Sequence, residues 1–355
     1  MEKIKLQKQF EEFHGEIALT DHRELKEKRS ILEKELKDKF PEKMNKEKKL
    51  KEENSNDLKI SDLKFIDQGS WAQGVKTSID PMNKTFDRDV AMIFPLDILI
   101  HKDPREIKKI VKDILTIQGK REPKIKEPCV TVTYSKEGDE IYHLDFPIYA
   151  KAKYGNLYLA RGKECSESYE WEESDPEGLN EYFKEQFEGE IGNQKRRIVR
   201  YLKQWKQIKY NGSQNGNEIP PSIGLTILVC KNFQYNEKND LKTLYYTLKR
   251  IYDKFIVIKN SEKEITEVII YCDLPTKPFS DVFYKMRKSK EHLITFYKRF
   301  QNFYENIRNA YEAEHDHEAA NYIVKSLGSE FEVPDKEAAV DTSKLKKEDR
   351  FAKLY

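Results

Sequence analysis

The chain has few cysteines, no long apolar run and no surplus of charge of either sign. Its four cysteines (Cys129, Cys165, Cys230 and Cys272) lie far apart and form no CxxC pair. This spacing excludes a zinc ribbon and supplies no disulfide framework, so a reducing cytosol is the expected compartment. No stretch approaches the ~20 consecutive apolar residues that a membrane helix needs. The opening MEKIKLQKQFEEF is charged throughout and has no apolar centre of the signal-peptide kind. A soluble, cytoplasmic protein without membrane contact is expected. Lys and Arg number 65 against 63 Asp and Glu, a net charge of +2. That balance argues against a protein built to coat nucleic acid and leaves electrostatic work to local patches. No internal repeat is visible.

At 355 residues the chain can hold two domains and a sizeable core. Leu6, Phe10, Phe13 and Ile17, then Leu25, Leu32 and Leu36, recur at helical spacing over residues 1–40. Pro41 is expected to end that run, and the Lys/Glu/Asn-rich stretch 42–60 reads as a connector, either a mobile loop or a frayed helix. From Leu63 the pattern turns to strands. Phe65-Ile66 leads into a Gly-Ser turn, and Asp87–Phe94 reads as a strand. Residues 103–118 read as a helix with Ile107, Ile110, Val111, Ile114 and Leu115 as its stripe. Val130–Tyr134 and Glu140–Tyr149 alternate as a hairpin. The remainder reads as largely helical, over 192–208, 241–255 and 282–311, with an apolar segment at Ser222–Cys230. The expectation is an α/β (α+β) protein of two lobes with a cleft between them. Residues 1–60 form a helical segment and connector, 61–190 a sheet-based core, 191–333 a helical lobe and 334–355 a flexible tail.

The chemistry concentrates near the start of the core. Asp87 and Asp89, spaced i, i+2 on a strand, point to one face. Two carboxylates held close repel unless a cation lies between them, which makes a divalent metal their natural partner. Asp145, in Ile141-Tyr142-His143-Leu144-Asp145-Phe146-Pro147, supplies a third carboxylate if its strand pairs beside the first. The expected scheme has Asp87, Asp89 and Asp145 as catalytic metal ligands. A lone Asp-x-Asp ordinarily lies on a solvated face; the third Asp and the upstream turn shift that reading. Gly69 and Ser70, with Gly74, offer backbone N–H groups and a hydroxyl to phosphate oxygens. A Walker A loop fails, because Val75 separates Gly74 from Lys76-Thr77. The basic helix 195–206 places Arg196, Arg200 and Lys203 on adjoining turns, able to grip a triphosphate. Most of its charges have a solvated face as their default, and Lys203 stands out beside the apolar seam of Leu202 and Trp205. His315-Asp316-His317 reads as a solvated cluster near the end of a polar helix, and His143 as a packed strand residue. Trp71 either stacks on a neighbour or shields the turn.

These residues resemble the nucleotidyltransferase superfamily of polymerase-beta type, with its Gly-Ser turn, Asp-x-Asp and third Asp. More closely, the chain is similar to the bacterial cGAS/DncV-like nucleotidyltransferases (CD-NTases), the signal synthases of antiphage (CBASS) systems. The matching pieces are Gln68-Gly69-Ser70-Trp71-Ala72-Gln73-Gly74, Phe86-Asp87-Arg88-Asp89, His143-Leu144-Asp145-Phe146-Pro147, Arg200-Tyr201-Leu202-Lys203-Gln204-Trp205 and Pro221-Ser222, over roughly residues 60–230. The resemblance implies an Mg²⁺-dependent enzyme, with two ions that Mn²⁺ can replace. Such an enzyme joins NTP substrates into a cyclic di- or trinucleotide. It assigns Ser70 to donor phosphate binding, the three Asp to metal ligation, and Lys203 and Ser222 to the triphosphate. It also implies a regulatory protein partner from a defence operon, and no extended nucleic-acid binding. Two departures stand out. Arg88 occupies a usually apolar position and must find a carboxylate or the surface, and Val75-Lys76 replaces the usual small residue. The competing readings are a linear nucleotidyltransferase acting on RNA or protein, and a catalytically dead binding module.

Overall fold

The computed structural model describes residues 6–18, 23–53, 56–77, 86–136, 139–213 and 215–336. Two helices come first, α1 (Gln7–Ile17) and α2 (Arg23–Leu50), and they serve different lobes. α1 buries Phe10 and Phe13, whose ring centroids lie 5.3 and 5.9 Å from that of Tyr201 in the helical lobe. α2 buries Leu32, Leu36 and Phe40 against the sheet, with Phe40 edge-on to Phe94 at 4.9 Å. The stop expected at Pro41 does not occur: α2 runs through the buried proline to Leu50, so residues 42–50 of the expected connector are helix. An interior proline costs a helix about 3 kcal/mol. Burial of Leu36, Phe40 and Met44, at about 1.5–3 kcal/mol each, outweighs it.

The sheet follows. β1 (Lys64–Gln68) runs straight into a single-turn helix, α3 (Gly69–Ala72), where a plain turn was expected. Then come β2 (Phe86–Pro95), α4 (Pro104–Leu115), β3 (Lys124–Ile125), β4 (Cys129–Lys136) and β5 (Asp139–Lys151). Asp103 caps α4, its carboxylate accepting from Arg105 N at 2.9 Å. The strand order is β1-β2-β5-β4-β3, with β2 and β5 parallel and the other neighbours in this path antiparallel. Glu137 and Gly138, at the turn of the expected hairpin, lie outside the described residues. β6 (Leu157–Arg161) and β7 (Glu170–Ser174) extend the sheet beside the end of β5; neither strand was anticipated. Strand alternation sorts the two faces. Val90, Met92, Phe94, Leu144, Phe146 and Ile148 join the core under α2 and α4. Ala91, Ile93 and Tyr149 form a smaller cluster on the opposite face, the face to which Asp87, Asp89 and Asp145 belong by parity.

The helical part comprises α5 (Pro176–Gln186), α6 (Gly189–Lys209), α7 (Ser222–Asn232), α8 (Asp240–Tyr252), α9 (Lys290–Glu312) and α10 (Asp316–Leu327). Trp205 of α6 stacks on Phe303 of α9, centroids 5.1 Å apart. A hairpin of β8 (Ile256–Lys259) and β9 (Ile265–Ile269) interrupts the helices. Its turn is tied by Asn260 Oδ1, which accepts from the N–H groups of Glu262 and Glu264. α9 starts at Lys290 rather than near 282, because Asp281 accepts from Phe283 N and Arg287 Nε and folds 281–287 into a tight turn. His315-Asp316-His317 lies at the start of α10, not its end, with His317 Nδ1 at 2.8 Å from the Pro334 carbonyl oxygen. Of the tail expected from 334, residues 337–355 lie outside the described residues. Among the described residues, no helix is long and apolar enough to cross a membrane.

Candidate active site

β2 and β5 run parallel with Asp87 opposite His143 and Asp89 opposite Asp145. Neighbouring strands lie about 4.8 Å apart, so three carboxylates face one another on one side of the sheet, as the spacing predicted. Burial first, then the Asp145 charge, raises the Asp87 carboxyl above the ordinary range. The same causes, with Asp87 added, push Asp89 up to about 7. Asp145 Oδ1 accepts from Thr131 on β4, and Lys126 Nζ lies 3.8 Å away.

The Gly-Ser segment lies against this cluster because β1 pairs antiparallel with β2, setting Gln68 opposite Asp89. Gly69 has φ +58°, a left-handed conformation that glycine adopts without a Cβ penalty. A Cβ there would overlap Asp89 Oδ2 and stand 3.3 Å from its Cγ. Glycine is thus required twice, by the turn and by the neighbouring carboxylate. Trp71 Nε1 donates to the Asp87 carbonyl at 2.8 Å, tying α3 to β2. The Trp71 ring also lies 4.1 Å from the Arg88 guanidinium and 4.5 Å from Lys76 Nζ, so it stacks on its neighbours. Arg88 points to the opposite face of the sheet and finds a carboxylate, Asp67, at 2.9 and 3.0 Å; Asp67 also accepts from Arg29 of α2.

Across the cleft, α6 supplies the cations. A cavity of about 500 Å³ is lined by Ser70, Asp87, Asp89, Lys203, Lys206 and Ser222, among others. Lys203 Nζ donates to the Val75 carbonyl at 2.8 Å; burial, then Lys206 and Arg200, lowers its pKa to about 7. Lys206 Nζ donates to Ser222 Oγ at 2.5 Å, and burial lowers it to about 8. Burial thus disfavours both charges, and an anionic ligand beside them would restore the charge. Arg196 and Arg200 do not line this cavity. Arg200 donates to the carbonyls of Gly74 (2.6 Å) and Lys76 (3.3 Å) and lies 2.5 Å from His14 Nε2. Arg196 reaches the Gln73 carbonyl at 3.4 Å. Both brace the loop behind the Gly-Ser segment, because their helical positions face that loop rather than the cleft.

The sequence reading missed Lys206, Gln207 and Tyr210, which line the same cavity. Their signal was available: 203, 206, 207 and 210 follow the i, i+3, i+4, i+7 spacing of one helix face. Gln207 Nε2 and Tyr210 Oη are buried without a hydrogen-bond partner. Among the described residues, no three His, Cys, Asp or Glu side chains are grouped closely enough to hold a metal ion as they stand. The donor set nevertheless suits a hard divalent cation: it is all oxygen, and two of its carboxyls are raised by confinement beside a like charge.

The family described as cyclic GMP-AMP synthase DncV-like, nucleotidyltransferase domain, matches residues 63–149. No curated protein matches the sequence. The crystal structure of Vibrio cholerae DncV cyclic AMP-GMP synthase, a prokaryotic cGAS homologue, superposes with a TM-score of 0.64 at 18% identity, covering 90% of this chain and 93% of that one. The same enzyme in complex with the linear intermediate 5′ pppA(3′,5′)pG gives 0.64 at 17% identity, over 90% and 93%. With nonhydrolyzable GTP it gives 0.65 at 18%, over 91% and 96%. At such identities the superposition speaks for the fold, while the family match speaks for residues 63–149. The chain therefore has the fold of the cGAS/DncV-like enzymes, and its residues 63–149 match the DncV-like nucleotidyltransferase domain.

Proposed function

We propose that the protein condenses nucleoside triphosphates into a cyclic di- or trinucleotide second messenger for antiphage signalling in the cytosol. The observation that carries this reading is the pairing of Asp89 with Asp145, beside Asp87, at the wall of a cavity whose far side is Lys203, Lys206 and Ser222. That cavity has the volume for about one nucleotide. Residues 61–190 carry the reaction and 191–333 close over the substrate, with 1–60 packed along both.

In this scheme Gly69 and Ser70 bind the donor phosphates, and Lys203, Lys206 and Ser222 hold the triphosphate as its pyrophosphate leaves. The acceptor hydroxyl oxygen bonds to the donor α-phosphorus, the bond from that phosphorus to pyrophosphate breaks, and the hydroxyl proton passes to solvent. The last transfer, the second for a dinucleotide and the third for a trinucleotide, uses the triphosphate of the linear product as donor, releases its pyrophosphate and closes the ring. Asp87, Asp89 and Asp145 would hold Mg²⁺ or Mn²⁺, which supplies charge neutralisation at the transferring phosphoryl group. The DncV structures with nonhydrolyzable GTP and with a linear dinucleotide support an NTP substrate and a stepwise route.

The test is incubation with each labelled NTP and Mg²⁺, then phosphatase digestion and mass spectrometry. A phosphatase-resistant product with the mass of a cyclic oligonucleotide, absent from the Asp87→Ala, Asp89→Ala double variant, is the expected result. Product confined to linear extension of RNA, or label fixed on protein, refutes it.

A further inference from the structure

Lys203, tied to the segment after Ser70, lies on one flank of the carboxylates. In the sheet order β1-β2-β5-β4-β3, Ser70 follows β1, and Lys203 is bonded to Val75 just beyond it. Lys126 lies on the other flank, in the loop between β3 and β4, with its ammonium 3.8 Å from Asp145 Oδ1 and its side chain 49% exposed. The placement has a chemical consequence. Attacking and leaving oxygens lie roughly in line on either side of a transferring phosphoryl group. If pyrophosphate leaves on the flank of Ser70 and Lys203, the acceptor arrives on the flank of Asp145 and Lys126.

Lys126 is also built to stay where it is. Its N–H donates to the Cys129 carbonyl at 2.9 Å. Its own carbonyl, and those of Glu127 and Gly162, accept from the fully buried Lys108 Nζ at 3.1, 2.6 and 3.0 Å. The Glu127 carboxylate is gripped by Arg161 of β6 and by Lys285 of the helical lobe, the latter at 3.2 Å; Arg161 in turn donates to Tyr284 Oη at 3.1 Å. Both backbone carbonyls of the Lys126-Glu127 pair and the Glu127 side chain are thus tied down, across both lobes. The Lys126 side chain is left half-exposed beside Asp145 on a backbone held in one place, where a flexible loop would give no defined geometry.

We infer that Lys126 binds the 5′-phosphates of the acceptor nucleotide, the counterpart of Lys203 and Lys206 on the donor side. The inference rests on the cyclic-synthase reading, because there the acceptor is itself a triphosphate and needs a cation on its own flank; a nucleoside acceptor needs none. Lys126 is a binding residue in this assignment, and the Lys108 and Glu127 contacts position it.

The experiment uses an α-labelled 2′,3′-dideoxy NTP, which can donate but not accept, with either an NTP or the matching nucleoside as acceptor. Lys126→Gln is expected to lower kcat/KM about 10- to 100-fold with the NTP acceptor, chiefly through KM, the scale of one lost charge-assisted hydrogen bond. With the nucleoside acceptor the change should stay within about threefold, and Lys126→Arg should recover most of the loss. An equal loss with both acceptors overturns the inference and confines Lys126 to neutralising Asp145. So does weaker binding of the dideoxy NTP, which would put Lys126 on the donor side. Wild-type protein that links neither acceptor refutes the synthase reading and the inference together.

Discussion

Replacing Gly69 by Ala should separate catalysis from stability. The backbone at Gly69 has φ +58°, and an L-residue there costs about 1–2 kcal/mol. Loss of glycine's freedom in the unfolded chain offsets about 0.4–1 kcal/mol of that. The new Cβ would overlap Asp89 Oδ2. That atom is the end of a short side chain, so the carboxylate can swing aside at little cost in stability. The swing displaces a proposed metal ligand by roughly 1 Å, and misplacement on that scale costs about 100-fold in rate. Gly69→Ala should therefore lower unfolding free energy by about 1 kcal/mol in urea titration, while initial-rate NTP consumption falls by about 100-fold or more. Activity within about tenfold of wild type would refute the reasoning, since Asp89 would then not need the space that glycine leaves. A stability loss above about 3 kcal/mol would refute it differently, by showing that backbone rather than side chain absorbs the overlap.

Three further expectations follow from individual contacts. Arg88→Met leaves Asp67 with Arg29 as its remaining partner and removes the cation from the Trp71 ring; unfolding free energy should drop by about 2–3 kcal/mol, discounted because Asp67 is part-exposed, and a loss under about 0.5 kcal/mol in urea would count against the pairing. His14 is held down to about 4 by burial, then by Arg200 and Arg197, against an ordinary 6.5. The unfolded chain then binds a proton that the folded chain refuses between those values. Stability is present above pH 6.5 and lost as pH falls toward 4, by roughly 1–2 kcal/mol after allowing for solvent screening; His14→Gln should flatten that slope in pH-dependent unfolding, and an unchanged slope would assign it elsewhere. Lys206→Ala removes the donor to Ser222 at the cavity wall and should raise the KM for NTP about tenfold or more, whereas an unchanged KM would take Lys206 out of triphosphate binding.

Much of the candidate site was legible because strand parity is a local rule. Asp87 and Asp89 share a face whatever surrounds them, and the outward course of Arg88 follows from the same alternation, down to its need for a carboxylate. The Gly-Ser segment was equally readable from residue type. The helix breaks were less so. Pro41 carries a strong local signal for a stop, yet the apolar residues around it, Leu36, Phe40 and Met44, pack on the sheet strongly enough to carry α2 onward. The short strands β6 to β9 left little trace, since four or five residues give periodicity too little length to register. Arg196 and Arg200 looked like phosphate ligands by charge alone; their carbonyl partners lie on a loop more than 120 residues away in sequence.

The sequence by itself determined the three carboxylates, the shared face of Asp87 and Asp89, the Gly-Ser segment upstream of them and the sheet-then-helix order from residue 63 onward, because each follows from the period of a strand or helix and from residue chemistry. Tertiary structure alone decided the rest: that Asp89 pairs with Asp145 rather than lying a strand away, that Lys203 and Lys206 face the cavity while Arg200 braces a loop, and that Lys126 stands on the far flank. Those outcomes depend on strand register and on the docking of α6 against the sheet. Both are set by which distant apolar faces bury each other, and no window of neighbouring residues contains that information.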